Sequence, residues 1–320
     1  MERPKIPLYK IRSFGDKFSD TFEFIKENRR IWFKGNVYLL LPLCLLQSLC
    51  MNSVSSEILN IETGVASEAA MIKVGVSYIL LFLFFMLGTI LLSAFTYAMM
   101  RYHNEQPNGL RGATLKDLKP MIVKCAKRAF LIGLMLTVII FAILLVMGLI
   151  VAASGMVVFF FIFLLAGVAA IVPLALIYPV YCFEDKETVF SSIQRGISLG
   201  LRSYWGILGF LLVLSFLTNT LQSIFMIPWY IMALIKGVFG TSNSGVAFTD
   251  SAIYNFVLYL FGVLQAFGMY LSTSLSLVGL GFQYGSIAEE VDGFSVEEDI
   301  EHFEEKSGVN ADIDNFDKLV

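Results

Sequence analysis

The chain has 320 residues, of which 57% are apolar and 15% charged, with a formal charge of −3 and a mean hydropathy of +0.74. An ordinary soluble domain is about 45–50% apolar and about 25% charged, so composition excludes one, and no nucleic-acid partner is expected. The apolar surplus lies in long uncharged blocks divided by short charged segments, which predicts an all-α, polytopic bundle of about six transmembrane helices.

The first segment, 1–32, is basic and amphipathic. Ile11, Phe14, Phe18, Phe22, Ile25 and Trp32 recur at helical spacing, with Asp16, Lys17, Asp20, Glu23, Glu27 and Arg30 opposite and Phe24 and Ile31 off the stripe. The first span is expected near 33–51, interrupted by Pro42 and Gln47, and the second near 74–100. A second amphipathic stretch, 114–128, carries Leu115, Leu118, Met121, Ile122 and Cys125 on one face. Thr114 and Asp117 make a capping box there, and Pro120 sets the helix start at about Leu118.

Spans near 129–152 and 155–182 follow as a tight hairpin, with Pro173 and Pro179 bending the second. A third amphipathic stretch, 187–203, aligns Val189, Phe190, Ile193, Ile197 and Leu201, and Asp185 is a candidate cap. The last spans are expected near 204–227 and 253–285, ahead of an acidic tail, 286–320. Ser295 and Glu298 predict one short helix in the tail, the rest being disordered and either a solubilising tail, a segment that folds back on the basic cytoplasmic surface, or a dock for a protein partner. The membrane domain thus covers 33–285 and carries three cytoplasmic interfacial amphipathic helices. Each of these runs into a pair of spans, which is either a parallel repeat or simply the look of a hairpin.

All lysines and arginines except Lys73 and Lys236 fall on one side of this arrangement, which places both termini in the cytoplasm and favours the cell (inner) membrane. Arg29, Arg30, Lys34, Lys124, Lys127, Arg128, Arg195 and Arg202 are candidate contacts for anionic lipid headgroups. The same helices packed on one another as a cap is the other reading.

No ionisable residue sits well inside a span, which argues against a pump or a proton-coupled carrier. Asn219, Gln222 and Gln265 either line a polar cavity beside the proline bends or bond between helices. Gly281 and Gly285 form a small-residue packing face that also suits self-association into a homo-oligomer. Glu184, Asp185 and Glu187 are read as helix-start carboxylates, His103 and His302 as solvated, and the four cysteines as small buried hydrophobes. No nucleophile, phosphate-loop or metal-ligand motif is recognised, so no cofactor and no enzyme activity are expected.

The stretch 183–214, FEDKETVFSSIQRGISLGLRSYWGILGFLLVL, joins an acidic turn, an amphipathic helix with Arg195, Gly196 and Leu199, and an aromatic-glycine entry to a span. It resembles a bacterial membrane-domain family found fused to glycerophosphodiester phosphodiesterases and as stand-alone inner-membrane proteins. The segment 18–36, FSDTFEFIKENRRIWFKGN, is similar in style. The resemblance implies a membrane module with no activity of its own. The expected function is therefore non-catalytic organisation of lipid or partner proteins at the cytoplasmic face. The alternative is a transporter or lipid-handling protein for a neutral or amphiphilic cargo.

Overall fold

The computed structural model describes residues 5–62, 68–155, 157–239, 246–249 and 251–294. The tail helix expected from Ser295, and His302 with it, lie outside the described residues. Among them the fold is all-α: α1 (Phe14–Glu27), α2 (Arg29–Glu62), α3 (Glu68–Glu105), α4 (Leu115–Ser154), α5 (Val157–Leu174), α6 (Ile177–Phe183), α7 (Val189–Arg202), α8 (Tyr204–Phe239), α9 (Val246–Thr249) and α10 (Ala252–Asp292). Among the described residues six stretches are long and apolar enough to cross a membrane: Arg29–Ser55, Met71–Glu105, Leu115–Ala153, Val158–Phe183, Tyr204–Phe239 and Ala252–Asp292.

The helix ends follow local chemistry. Ser13 and Asp16 form a capping box that starts α1, and the backbone N–H of Asn28 closes it by donating to the Phe24 carbonyl. Pro42 and Gln47 do not break α2, and Pro228 does not end α8, so both run beyond the expected spans. The stretch 114–128 is not a separate helix. Thr114 and Asp117 start α4 at Leu115, Pro120 sits inside it, and no capping or turn residue interrupts the path into the span. The expected span 155–182 is two helices. Pro179 has no N–H for the Ala175 carbonyl, and the chain turns at 175–176 between α5 and α6. Thr188, not Asp185, caps α7 through Ser191.

Helices α2, α3, α8 and α10 pack side by side, with α10 touching the other three. Their largest buried cluster gathers at the end that carries the basic residues, where Phe24, Phe95, Tyr97, Met99, Met100, Phe183, Phe282 and Tyr284 meet. The N-terminal segment lies across α10. A Cβ at Gly285 would run into the Leu8 carbonyl oxygen, so the two backbones touch there. Arg12 is buried and holds that crossing: its guanidinium donates to the Leu8 carbonyl (2.9 Å) and to Asp20 (2.7 Å), and lies 4.7 Å from the Phe282 ring centre. Burial alone pulls the Arg12 guanidinium below its ordinary pKa, and Asp20 opposes that shift.

The α4–α5 hairpin is different. Only its end near the basic face is packed, through Leu118, Cys125, Ala129 and Ile132 of α4 and Val172 and Pro173 of α5. None of the described side chains from Gly133 to Ile171 is buried.

Candidate functional site at the basic end

Helices α1 and α2 meet in an elbow at Asn28, whose backbone N–H and Nδ2 both donate to the Phe24 carbonyl, at 3.1 and 2.9 Å. Facing the elbow is the connection between α3 and α4, folded tightly by Gly109 and Gly112 at φ of 60° and 77°. His103 is buried, not solvated. It packs edge-on to Phe24 with ring centres 5.1 Å apart and leaves no room for a Cβ at Gly109.

Between elbow and connection lies a cavity of about 930 Å³, lined by Lys26, Arg29, Arg30, Lys34 and Arg111, with Glu27 the one acid and Ile31, Leu110 and Leu115 among its apolar walls. The first turn of α2 opens on the same cavity, adding the positive end of a helix dipole. Lys26, Arg29, Arg30 and Lys34 are exposed, and none has a carboxylate within ion-pair distance among the described residues. The Lys34 ammonium stands 5.9 Å from the Tyr38 ring centre.

Arg101, Lys124, Arg128 and Arg195 are instead engaged by the chain's own carboxylates. The Asp185 carboxylate accepts from the two Nη atoms of Arg101 at 2.7 and 2.5 Å and pairs with Lys124 Nζ at 2.7 Å and with Arg128 Nη2 at 3.4 Å. The Arg101 hydrogen bonds hold the Asp185 carboxyl well below the usual carboxylate range, with Lys124 adding to the effect. Arg128 also donates to the carbonyls of Tyr181, Glu184 and Asp185, so it ties α4 to the turn after α6. Arg195 Nε lies between both oxygens of Glu184, at 2.8 and 2.7 Å, while its Nη2 reaches Asp292 at 2.7 Å. Burial lowers the Arg195 pKa, but Glu184 and Asp292 outweigh it and the net shift is upward. Tyr284 donates to Glu184 at 2.7 Å, and the nearby Tyr9 phenol is pushed up to about 12, chiefly by burial.

Of the eight cations singled out in the sequence, Arg29, Arg30 and Lys34 thus share one cavity. Lys124, Arg128 and Arg195 are engaged by the chain's own carboxylates, and Lys127 and Arg202 stand exposed elsewhere. Glu184 and Asp185 are ion-pair centres, not helix-start carboxylates.

Asn219 is exposed and donates to the Ser215 carbonyl on its own helix. Gln222 and Gln265 do share a groove, of about 390 Å³, together with Gln47, Ser48 and Tyr78. It lies between α2, α3, α8 and α10, not beside Pro173 and Pro179. Gly281 faces Met100 and Tyr97 of α3, and Gly285 faces the backbone of Leu8, so both meet the chain's own atoms.

Other features escaped sequence reasoning. Phe24, off the predicted stripe, is buried together with Thr21 of α1, whereas Ile11, Phe14 and Phe22 on the stripe are exposed. Helix α7 packs through Gly196 and Gly200, where a Cβ would strike Ile177 and the backbone of Pro173. That spacing, Gly-x-x-x-Gly, was there to be read. So was Asn108-Gly109, a turn dipeptide that places Arg111 opposite the elbow. Cys125 and Cys182, from α4 and α6, are both buried with their sulfurs 2.7 Å apart. No local spacing announces this pair, which long-range packing brings together. Among the described residues, no three His, Cys, Asp or Glu side chains converge as a metal site requires.

The chain matches no protein-family model, no curated protein and no solved structure.

Proposed function

We propose that this is a multi-pass membrane protein, with its basic end in the cytoplasm, that binds the phosphate headgroup of an anionic lipid in the elbow cavity. The observation that carries the reading is the convergence of Lys26, Arg29, Arg30 and Lys34 on one open cavity whose lining holds a single acid, Glu27, with none of the four cations ion-paired among the described residues. Exposed like charges repel one another, and an anion relieves that repulsion. The cavity lies at the start of the first span, where headgroup phosphates sit, and its Ile31 and Leu110 walls suit the glycerol and first methylenes. The likeness of 183–214 to a membrane module without an activity of its own fits a binding role rather than catalysis.

The test is native mass spectrometry of the purified protein in detergent with phosphatidylglycerol, phosphatidylcholine or glycerol 3-phosphate. Phosphatidylglycerol should be retained preferentially, and glycerol 3-phosphate should compete only weakly. At about 1 kcal/mol per surface cation, Arg29→Glu with Arg30→Glu should weaken retention at least tenfold. Unchanged retention by the doubly reversed protein would sink the proposal. Competition by glycerol 3-phosphate at parity would assign the cavity to a soluble phosphate.

A second reading, the handling of a neutral amphiphile, is favoured by the groove that joins Gln47, Gln222 and Gln265 among apolar helices.

A further inference from the structure

The groove carries more than its shape. Gln47 lies eighteen residues beyond Arg29 on α2, about 27 Å along the helix and so in the half of the bilayer far from the basic end. Its side chain is buried, at 4% exposure. Gln47 Nε2 donates to the Tyr270 hydroxyl at 2.6 Å, which fixes the amide, but Gln47 Oε1 is buried and has no hydrogen-bond partner. Gln265 Oε1, on the same groove, is buried and unpartnered too.

Two amide oxygens without donors are costly in a hydrocarbon setting, where no water offers itself freely. They persist where a ligand supplies the donor. The surroundings hold the first of them in place. Tyr270 reaches Gln47 only because Gly88 of α3 has no side chain, a Cβ there colliding with the phenol. The rest of the lining is Met51, Leu81, Phe82, Phe85, Ala266 and Met269, and Phe82 is 62% exposed, so the groove is open at its side.

We infer that this groove binds a neutral lipid headed by hydroxyl groups, of the acylglycerol class, which enters sideways from the bilayer. A hydroxyl donates to an amide oxygen and accepts from an amide N–H, so it satisfies Gln47 in either orientation of the amide. A carboxylate or phosphate has no donor to give and meets no cation here. A water-soluble ligand would gain nothing from the phenylalanine and methionine walls. A volume of about 390 Å³ falls within the range of small-ligand sites and suits a headgroup with the first part of a chain. The inference rests on the second reading above, and is independent of the elbow cavity.

The experiment is native mass spectrometry of the full chain with three probes that share one chain: monooleoylglycerol, methyl oleate and oleate. Monooleoylglycerol should bind at least tenfold more tightly than methyl oleate, which offers no donor, and oleate should bind no better than the ester. Gln265→Leu removes one orphan oxygen without breaking a hydrogen bond seen in the fold, and should cost about fivefold in monooleoylglycerol affinity. Gln47→Leu should cost more, with thermal unfolding recorded beside it because Tyr270 loses its partner. Equal binding of ester and monooleoylglycerol would overturn the inference, as would unchanged affinity in Gln265→Leu. Arg29→Glu with Arg30→Glu should leave monooleoylglycerol binding intact, so the two sites fail separately.

Discussion

The four-helix packing of α2, α3, α8 and α10 and the α4–α5 hairpin are both built from long apolar sequence, yet one is a core and the other bare. Among the described residues the most apolar span-length window belongs to α4, and none of it is buried. In water that ordering would be reversed, because apolarity drives burial. In a bilayer a leucine gains little by leaving lipid for protein, so apolarity says only that a helix is inserted. Close approach and hydrogen bonding decide which helices pack. The packed helices carry them: Gly35 sits under Phe95, Gly268 under Phe225, and Gly262 against Ser48. Trp32 donates to Ser274 at 2.7 Å, and Thr218 meets Ser276 at 2.5 Å. The hairpin has glycines as well, at positions 133, 148 and 167, but a Cβ on any of them would meet nothing.

The sharpest way to break this contrast is to fill glycines on both sides of it. Gly285→Leu must push the Leu8 backbone away, and Gly268→Leu must displace Phe225, so each should cost about 3 kcal/mol or more and yield little folded protein. Gly148→Leu and Gly167→Leu should change the unfolding temperature by no more than about 0.5 kcal/mol equivalent. Thermal unfolding in detergent, read with size-exclusion profiles, measures both. A hairpin variant as damaging as Gly268→Leu would mean that the hairpin packs against something after all.

The next effect concerns where the two regions join. Arg101 of α3, with Lys124 and Arg128 of α4, converges on Asp185, so the carboxylate links the packed helices to the root of the hairpin. Its folded pKa is depressed. The stabilisation is therefore complete above the ordinary Asp value of about 4 and is lost as pH falls through the lower folded value. Asp185→Asn should lower stability at neutral pH and flatten the acid limb of the stability curve. With the Asp185 side chain 46% exposed, solvent screening holds the loss to about 1 kcal/mol.

The smallest effect on stability, and the most direct report on that joint, comes from the cysteines. Diamide takes up both thiol hydrogens and leaves a sulfur–sulfur bond. It should link Cys125 to Cys182 within one molecule, lowering its mass by two hydrogens, with no dimer on a non-reducing gel. Cys125→Ser should abolish the link. Failure of the pair to cross-link in native protein would separate α4 from α6 and undo the joint.

These differences mark what one sequence discloses. The spans, the basic bias and the caps of α1 and α4 are local patterns, and Ser13 with Asp16 or Thr114 with Asp117 can be read directly. Partner choice is not local. Phe24 falls outside the apolar stripe of α1 because it plugs the joint between His103 and Phe282, while Phe14 and Phe18 of the stripe lie against Phe210 of α8. Arg195 and Arg29 look alike as interfacial cations. Only folding puts Glu184 and Asp292 beside one and leaves the other open. Gln47, Gln222 and Gln265 were legible as polar residues in apolar helices, but only the packing of four helices brings them to one groove, with Gln47 the most buried of its amides.

Helix α4 runs without a break for 40 residues, about 60 Å, or roughly twice the thickness of a hydrocarbon layer. A one-piece rod of that length, whose buried side chains among the described residues all lie before Gly133, behaves as a lever. A tilt of about 5° at Cys125 carries Ser154, some 44 Å away, through about 4 Å. Movement of the ion-paired joint at one membrane surface is thereby delivered, magnified, to the opposite one.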